Sequence, residues 1–278
     1  MMTHEEIRKR NALEQRQLVR DGQYQGHTAG LMPTYLQANL VIVEEAFAPD
    51  FEKFCNLNAK ACPVVGISEI GSSYIPVLDC DVKTDASAYN VYRDGQLQTS
   101  MHEITALWTS SLVAFALGCS FSFEEALLAA GIRMAHIEQN KTVPMFRTNR
   151  PLQSAGVFGG EEVVSMRPIR RDQVEEARVL SGQFPQAHGA PIHVGDPEVL
   201  GIEDLSRPDW GQAVDIQDSE VPVFWPCGVT PQVALQRARL PFSITHKPGH
   251  MLLTSVPAPD AKGVEFPFLP FNQTSIRN

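Results

Sequence analysis

Two short segments place thiols and hydroxyls at the start of a predicted helix. In VPVFWPCGVTPQ, residues 221–232, an apolar strand runs into Cys227 and Gly228, and Thr230-Pro231 signals a helix start. The first N–H groups of such a helix lack intrahelical partners and its dipole is positive there. The junction therefore suits an anion, and a thiol on it is expected to ionise more readily. GCSFSFEE, residues 118–125, has the same shape, with Cys119, Ser120 and Ser122 beside a helix start and Glu124 in the first turn. The plainer reading is local: Ser122 and Glu125 form a capping box, Thr230 caps its helix, and Cys227 is buried. In the second segment a predicted helix ends at Gly118 before the turn, strand–loop–helix junctions like the first occur in every α/β protein, and neither segment identifies an activity alone.

Four of the eight histidines, His188, His193, His246 and His250, fall in the segments HGAPIHVGDP and THKPGHM. Imidazole titrates near neutrality, so Gly-rich loops carrying histidine suit general acid–base work, although a single histidine is more often a surface or satisfied core residue. The i, i+4 spacing of His246 and His250 matches a zinc-binding helical pair, but Pro248 and Gly249 between them predict a turn. Arg147 and Arg167 follow apolar strands in VPMFRTN and VVSMRP and could hold a carboxylate in a two-pronged grip. Asp79, Asp81 and Asp85 surround Lys83 without EF-hand spacing.

The elements that must position these groups alternate in type. Helices are predicted over 3–20, 49–56, 103–117, 122–131, 172–182 and 230–238. Strands are predicted over 38–43, 64–67, 143–147, 163–166, 191–194, 221–225, 243–246 and 251–256, with a hairpin over 89–98 turning at Asp94-Gly95. The interleaving predicts an α/β fold with a mixed sheet. The 278 residues, 43% of them hydrophobic and 20% charged, form enough chain for a large core. A formal charge of −9 argues against nucleic acid or an anionic membrane as partner. No apolar run reaches the ~18 residues of a membrane span, and residues 1–20 lack the apolar core of a secretory signal. Five cysteines without a C-x-x-C spacing predict reduced thiols, hence a cytoplasmic protein. The apolar FPFLPF, residues 266–271, either covers its own core or packs on a second subunit, which leaves a homo-oligomer open.

Taken together, QANLVIV, FCNLNAKACPV, YNVYRDG, FALGCSFSFEEAL, VPMFRTN, VVSMRPI, HGAPIHVGDP, GIEDL, EVPVFWPCGVTPQ and ITHKPGHM resemble the hydro-lyase family related to D-glutamate cyclase, in the family's order over residues 18–256. The resemblance implies a three-layer α/β/α sandwich, residues 1–140 and 225–278, with a smaller two-layer α+β domain inserted over 141–224. It implies the reaction of D-glutamate to 5-oxo-D-proline plus water, an activity tied to a larger mitochondrial relative containing this module. Three departures stand out. Thr109, Ser110 and Ser111 replace an acidic pair after Trp108, Lys83 replaces an arginine, and Ser255 stands where aspartate is common.

Lactam closure needs a base for the ammonium, an acid for the departing oxygen, donors for the developing oxyanion and an anchor for the α-carboxylate. Base and acid are assigned to His188, His193 and His246 without order, with Glu124 as a second candidate. The N–H groups over 228–232, from Gly228 to Gln232, would hold one carboxyl and Arg147 or Arg167 the other. Cys119, Ser120, Cys227 and Thr230 complete the expected binding set. No cofactor is assigned, and a divalent cation, Mg²⁺ or Mn²⁺, is left open. The rival reading is a non-catalytic module that binds a small carboxylate or serves as an accessory to 5-oxoproline metabolism, for which the missing acidic pair is the best support.

Overall fold

The computed structural model describes residues 2–139 and 141–258, so the 266–271 segment lies outside the described residues. The helices are α1 His4–Arg8, α2 Ala12–Arg20, α3 Ala48–Leu57, α4 Phe121–Ala129, α5 Ala135–Glu138, α6 Val174–Gly182 and α7 Thr230–Ala238. The strands are β1 Tyr35–Glu44, β2 Val64–Ile67, β3 Tyr74–Ile75, β4 Cys80–Asp81, β5 Tyr89–Arg93, β6 Gln96–Met101, β7 Leu112–Gly118, β8 Met145–Pro151, β9 Glu161–Arg170, β10 His193–Val194, β11 Glu220–Pro226, β12 Ser243–His246 and β13 Leu252–Pro257.

The first sheet has the order β2-β7-β1-β12-β5-β6, with β13 beside β12 on the same edge of β1. Side-chain alternation in its two central strands divides the core. Leu36, Ala38, Leu40 and Ile42 of β1 and Leu112, Ala114 and Ala116 of β7 face a cluster that includes Ile75, Leu78, Tyr89 and Ile104. Val41, Val43, Val113, Phe115 and Leu117 face the other way, onto Phe51 and Phe54 of α3 and Ala234 and Leu235 of α7. Helices thus cover one face, while the other is covered by the β3–β4 ribbon and the segments around it.

A second sheet, β10-β11-β9-β8, carries α4 and α6 on one face, where Phe123, Leu127 and Ala177 meet Ile169, Val223 and Trp225. The chain leaves the first sheet at Gly118 and returns to it through α7 after Pro226. Elements of both types interleave as an α/β fold requires. Every strand pair among the described residues is antiparallel, in place of the expected mixed sheet.

Local expectations fail at four places. Residues 103–117 hold a short 3₁₀ turn and then β7, because a strand buried on both faces has the same continuous apolar run as a core helix. Residues 3–20 form two helices, since Asn11 and Glu14 make a second capping box that restarts the chain. Ser122 lies inside α4, where its Oγ accepts the Gln37 N–H at 3.3 Å. Thr230 caps nothing; its hydroxyl accepts the Val163 N–H at 3.0 Å and donates to the Val163 carbonyl, which ties α7 to β9.

Helix α2 is held through Asp85, whose fully buried carboxylate takes Arg16 at 3.1 Å and Arg20 at 2.6 and 2.7 Å. At the first crossing between sheets, a Cβ on Gly118 would lie 1.5 Å from the Gln186 carbonyl oxygen. Gly118→Ala is therefore expected to destabilise the protein by about 1–3 kcal/mol, the usual cost of overpacking, as read by urea unfolding. Unchanged stability would show that the two backbones do not need this close approach.

Candidate functional site

The two crossings meet. Cys119, Ser120 and Phe121 from the first and Cys227, Gly228 and Val229 from the second line one cavity. Its remaining wall includes Asn39 of β1, residues preceding β8, and His246, Pro248, Gly249 and Met251 around the turn between β12 and β13. The cavity is about 30 Å³, close to the volume of one water molecule, so a larger ligand requires its walls to part. A wider groove of about 470 Å³ runs over Met2, Glu6, Arg10, Gly22 and Gln23, but it is an open surface between short N-terminal helices and gathers none of the groups above.

Helices α4 and α7 both begin at the cavity, and neither has a side-chain cap. Their first-turn N–H groups and positive dipole ends favour negative charge there. Close packing fixes the second crossing as it does the first, since a Cβ on Gly228 would lie 2.0 Å from the Asn39 amide nitrogen. Asn39 itself donates from Nδ2 to the Gly118 carbonyl at 2.9 Å, leaving Oδ1 as an acceptor beside the cavity.

Behind Ser120 lies a fully buried arginine. Arg167 on β9 donates to Glu124 Oε1 from both Nε, at 2.9 Å, and Nη2, to Ser165 Oγ at 3.0 Å, and to Ser120 Oγ at 3.1 Å. Its guanidinium also lies over the rings of Phe123 and Trp225, at 5.3 and 5.4 Å. His136 Nε2 approaches Glu124 Oε1 at 3.3 Å. Burial opposes ionisation of Glu124, but Arg167 and His136 outweigh it and lower its pKa to about 2. Glu124 is therefore a fixed counter-ion to Arg167, and the expected acid–base role does not fit it. Because Ser120 Oγ accepts from Arg167, its own proton is left to donate elsewhere.

His246 is nine-tenths buried or more and its pKa is lowered to about 4 by burial, so the ring is neutral. Leu40 N–H reaches its Nδ1 at 3.0 Å, at the point where β12 stops pairing with β1 and β13 has not begun. The same Nδ1 lies 3.3 Å from the Leu40 carbonyl, so it accepts from the N–H or donates to the carbonyl according to the ring's tautomer, and Nε2 lies 3.4 Å from the Gln232 amide nitrogen. Gln232 donates to the His246 carbonyl at 3.4 Å. His246 is thus a neutral ring tied to the Leu40 peptide through Nδ1, with Nε2 beside Gln232.

Other expected residues lie elsewhere. His188 is buried with its pKa lowered to about 4 by burial, donates from Nδ1 to the Lys60 carbonyl, 3.0 Å away, and is not in the cavity lining. His193 pairs through Nε2 with the Asp196 carbonyl at 2.6 Å and packs on Phe224, outside the cavity. Arg147 is half exposed, over the Trp210 ring at 4.8 Å and 3.7 Å from Asp209. Both were singled out for residue type in a local segment, and pairing directs them away. His250 turns from the cavity wall to Ser87 Oγ, 3.0 Å from its Nδ1, near His27 and His102. Among the described residues, no group of three or more His, Cys, Asp or Glu is placed to hold a metal ion. The departures at Thr109, Ser110, Ser111, Lys83 and Ser255 are absent from the cavity lining; Thr109 and Ser110 are exposed. Asn39 and His136 are functional candidates that the sequence reading missed.

Residues 113–255 match the family model described as D-glutamate cyclase. A protein from Dinoroseobacter shibae named "Putative hydro-lyase" is 52% identical over 256 residues, covering 91% of this chain and 85% of its own. One of the same name from a Jannaschia species is 54% identical over 246 residues, covering 88% and 92%. A solved nitrogen repressor-like protein from Methanococcus jannaschii aligns over 84% of this chain at 10% identity with a TM-score of 0.37, too low to carry a fold argument.

The buried groups set the acid stability. His188 and His246 have folded pKa values below their ordinary 6.5, so the unfolded chain binds more protons and stability falls as pH drops from about 6.5 to 4. Glu124 lies below its ordinary 4.5, so its contribution, on the order of 3 kcal/mol, is complete above that value and lost as pH falls toward 2. Glu124→Gln is expected to be less stable at pH 7 and to lose the second phase of this decline but keep the first, as measured by urea unfolding between pH 2.5 and 8. A variant with an unaltered profile would show that Glu124 is not the held carboxylate.

Proposed function

The chain belongs to the D-glutamate cyclase family of hydro-lyases, and from that membership we propose that it interconverts a small amino diacid and its lactam, D-glutamate and 5-oxo-D-proline plus water, in the cavity between the two crossings. The observation that carries this reading is the meeting of two helix N-termini without side-chain caps and the Ser120 hydroxyl at one cavity. That arrangement offers several donors to carboxyl oxygens without a formally charged side chain in the lining.

In the reaction, the amine nitrogen bonds to the γ-carboxyl carbon, the ammonium gives up two protons, and one carboxyl oxygen takes up two as its bond to carbon breaks and it leaves as water. The Phe121 and Val229 N–H groups, with the positive ends of α4 and α7, hold the α-carboxylate. Ser120 O–H and His246 Nε2–H donate to the γ-carboxyl oxygens as negative charge develops on them, the neutral imidazole acting as an electrophile. Asn39 Oδ1 accepts from the nitrogen and turns it toward the carbon. Arg167 does not touch substrate in this scheme; it holds Ser120 Oγ and, through Glu124, the start of α4. The turn containing Pro248 and Gly249 must swing out to admit substrate, since the cavity alone holds little more than water. With the acidic pair's replacements outside the lining, the binding-only reading loses its main support.

Proton NMR of the purified protein with D-glutamate and, separately, 5-oxo-D-proline is expected to show interconversion, and the L-isomers serve as controls. Ser120→Ala is expected to lower kcat about 100-fold with little change in Tm, as for loss of one oxyanion donor. Arg147→Ala is expected to retain activity. Failure of the wild-type protein to interconvert either compound, with and without added Mg²⁺ or Mn²⁺, would sink this reading.

A further inference from the structure

Cys119 and Cys227 occupy equivalent places. Each follows the last residue of a strand, β7 or β11, each immediately precedes the turn into a helix, and each lines the cavity. The Phe121 N–H at the start of α4 favours the Cys119 thiolate, and the Val229 N–H before α7 does the same for Cys227. The two helices belong to different packing units. α4 is part of the core of the second sheet, whereas α7 packs Ala234 and Leu235 against the first. A ligand at the seam is therefore approached by one thiol from each unit.

The proposed ring reaction uses neither sulfur. Both of its compounds nevertheless carry a C–H bond next to the α-carboxylate that the helix ends would hold. We propose that Cys119 and Cys227 form a two-base pair that inverts the α-carbon of a small amino or lactam carboxylate, giving the protein a racemase activity. The inference rests on the reading that the cavity takes such a carboxylate. One sulfur, as thiolate, takes the α-proton: the C–H bond breaks, an S–H bond forms, and the electron pair passes into the carboxylate as an enediolate. First-turn N–H groups stabilise that charge. The other sulfur, as thiol, gives its proton to the opposite face. The product is the mirror image of the substrate, the two sulfurs have exchanged protonation states, and no oxidant or reductant is consumed.

Burial pushes both thiols up, Cys227 to about 11 and Cys119 to about 12. The charged groups facing them are Arg167, which favours both thiolates, and Glu124, which opposes ionisation of Cys119. A thiolate on Cys227 also opposes ionisation of Cys119, so one sulfur ionises while the other keeps its proton, and the rate should rise toward alkaline pH. A thiolate made so basic is also a stronger acceptor for a carbon-bound proton.

The test is incubation of the wild-type protein in D₂O with each enantiomer of glutamate and of 5-oxoproline, read by proton NMR and chiral chromatography. The opposite enantiomer should appear with deuterium at its α-carbon while the remaining starting enantiomer still carries hydrogen, the isotope pattern of two separate bases. Cys119→Ser and Cys227→Ser should each lower inversion by about 100-fold or more, with folding checked by circular dichroism. If either variant fails to fold, the wild-type isotope pattern decides. Ring closure is read in the same spectra. Ring closure without α-exchange overturns the thiol pair and leaves the ring chemistry standing. Inversion without ring closure supports the pair and removes the ring chemistry, and absence of both overturns both. Inversion undiminished in both serine variants also overturns the pair.

Discussion

A guanidinium with no solvent exposure is the constraint around which the seam is built. Taking Arg167 out of water costs several kcal/mol unless its N–H groups and charge are matched, and the match comes from separate parts of the chain. Glu124 supplies the charge from α4, Ser165 a hydroxyl from β9 itself, and Ser120 a hydroxyl from the first crossing. Phe123 and Trp225 supply ring faces. Each partner is thereby located relative to β9, and α4 cannot shift along the second sheet without exposing an unpaired buried charge. This fixes the orientation of the Ser120 hydroxyl and the place where α4 begins.

The second crossing is located by contact. Thr230 binds both backbone groups of Val163, and Gly228 lies against Asn39. Two rigid attachments, one ionic and one steric, therefore bring two helix starts to one small volume. Local potential at that volume comes from backbone dipoles, which explains how a chain of formal charge −9 can offer an anion site. The carboxylate nearest the cavity, Glu124, has its charge matched by Arg167.

Much of this was legible in the residues. The turns and helix starts at Cys119 and Cys227 follow from local rules, as does the strand before Cys227 but not the one before Cys119, and both segments line the cavity. Assigning roles to histidines and arginines was less successful because a role depends on where a side chain is directed by long-range pairing. His193, at the start of β10, pairs with the Asp196 carbonyl and Arg147, within β8, lies over Trp210, both away from the cavity, whereas His246 lines it as a neutral ring held at the Leu40 peptide. The run 103–117 was misread because a doubly buried strand has no distinctive period. One signal was available and unused: in QANLVIV, Gln37 and Asn39 interrupt the apolar face that Val41 and Val43 continue. Polar residues on a buried face of a central strand need partners: Asn39 finds the Gly118 carbonyl at the first crossing, and Gln37 the Thr28 and Leu31 carbonyls.

The position of β12 has a consequence for how the molecule is made. It lies between β1 and β5, pairing Val41 with Thr245 and Asn90 with the same residue, so the middle of the first sheet closes only across about 200 residues of chain. During synthesis β1 and β5 are complete long before β12 emerges, and each waits with an unpaired edge that could join another chain. Such long-range closure is slow, and the cavity, which needs His246 from β12, is among the last features to form. A ribosome-bound chain of this protein would thus already hold its buried arginine network while still lacking a finished site.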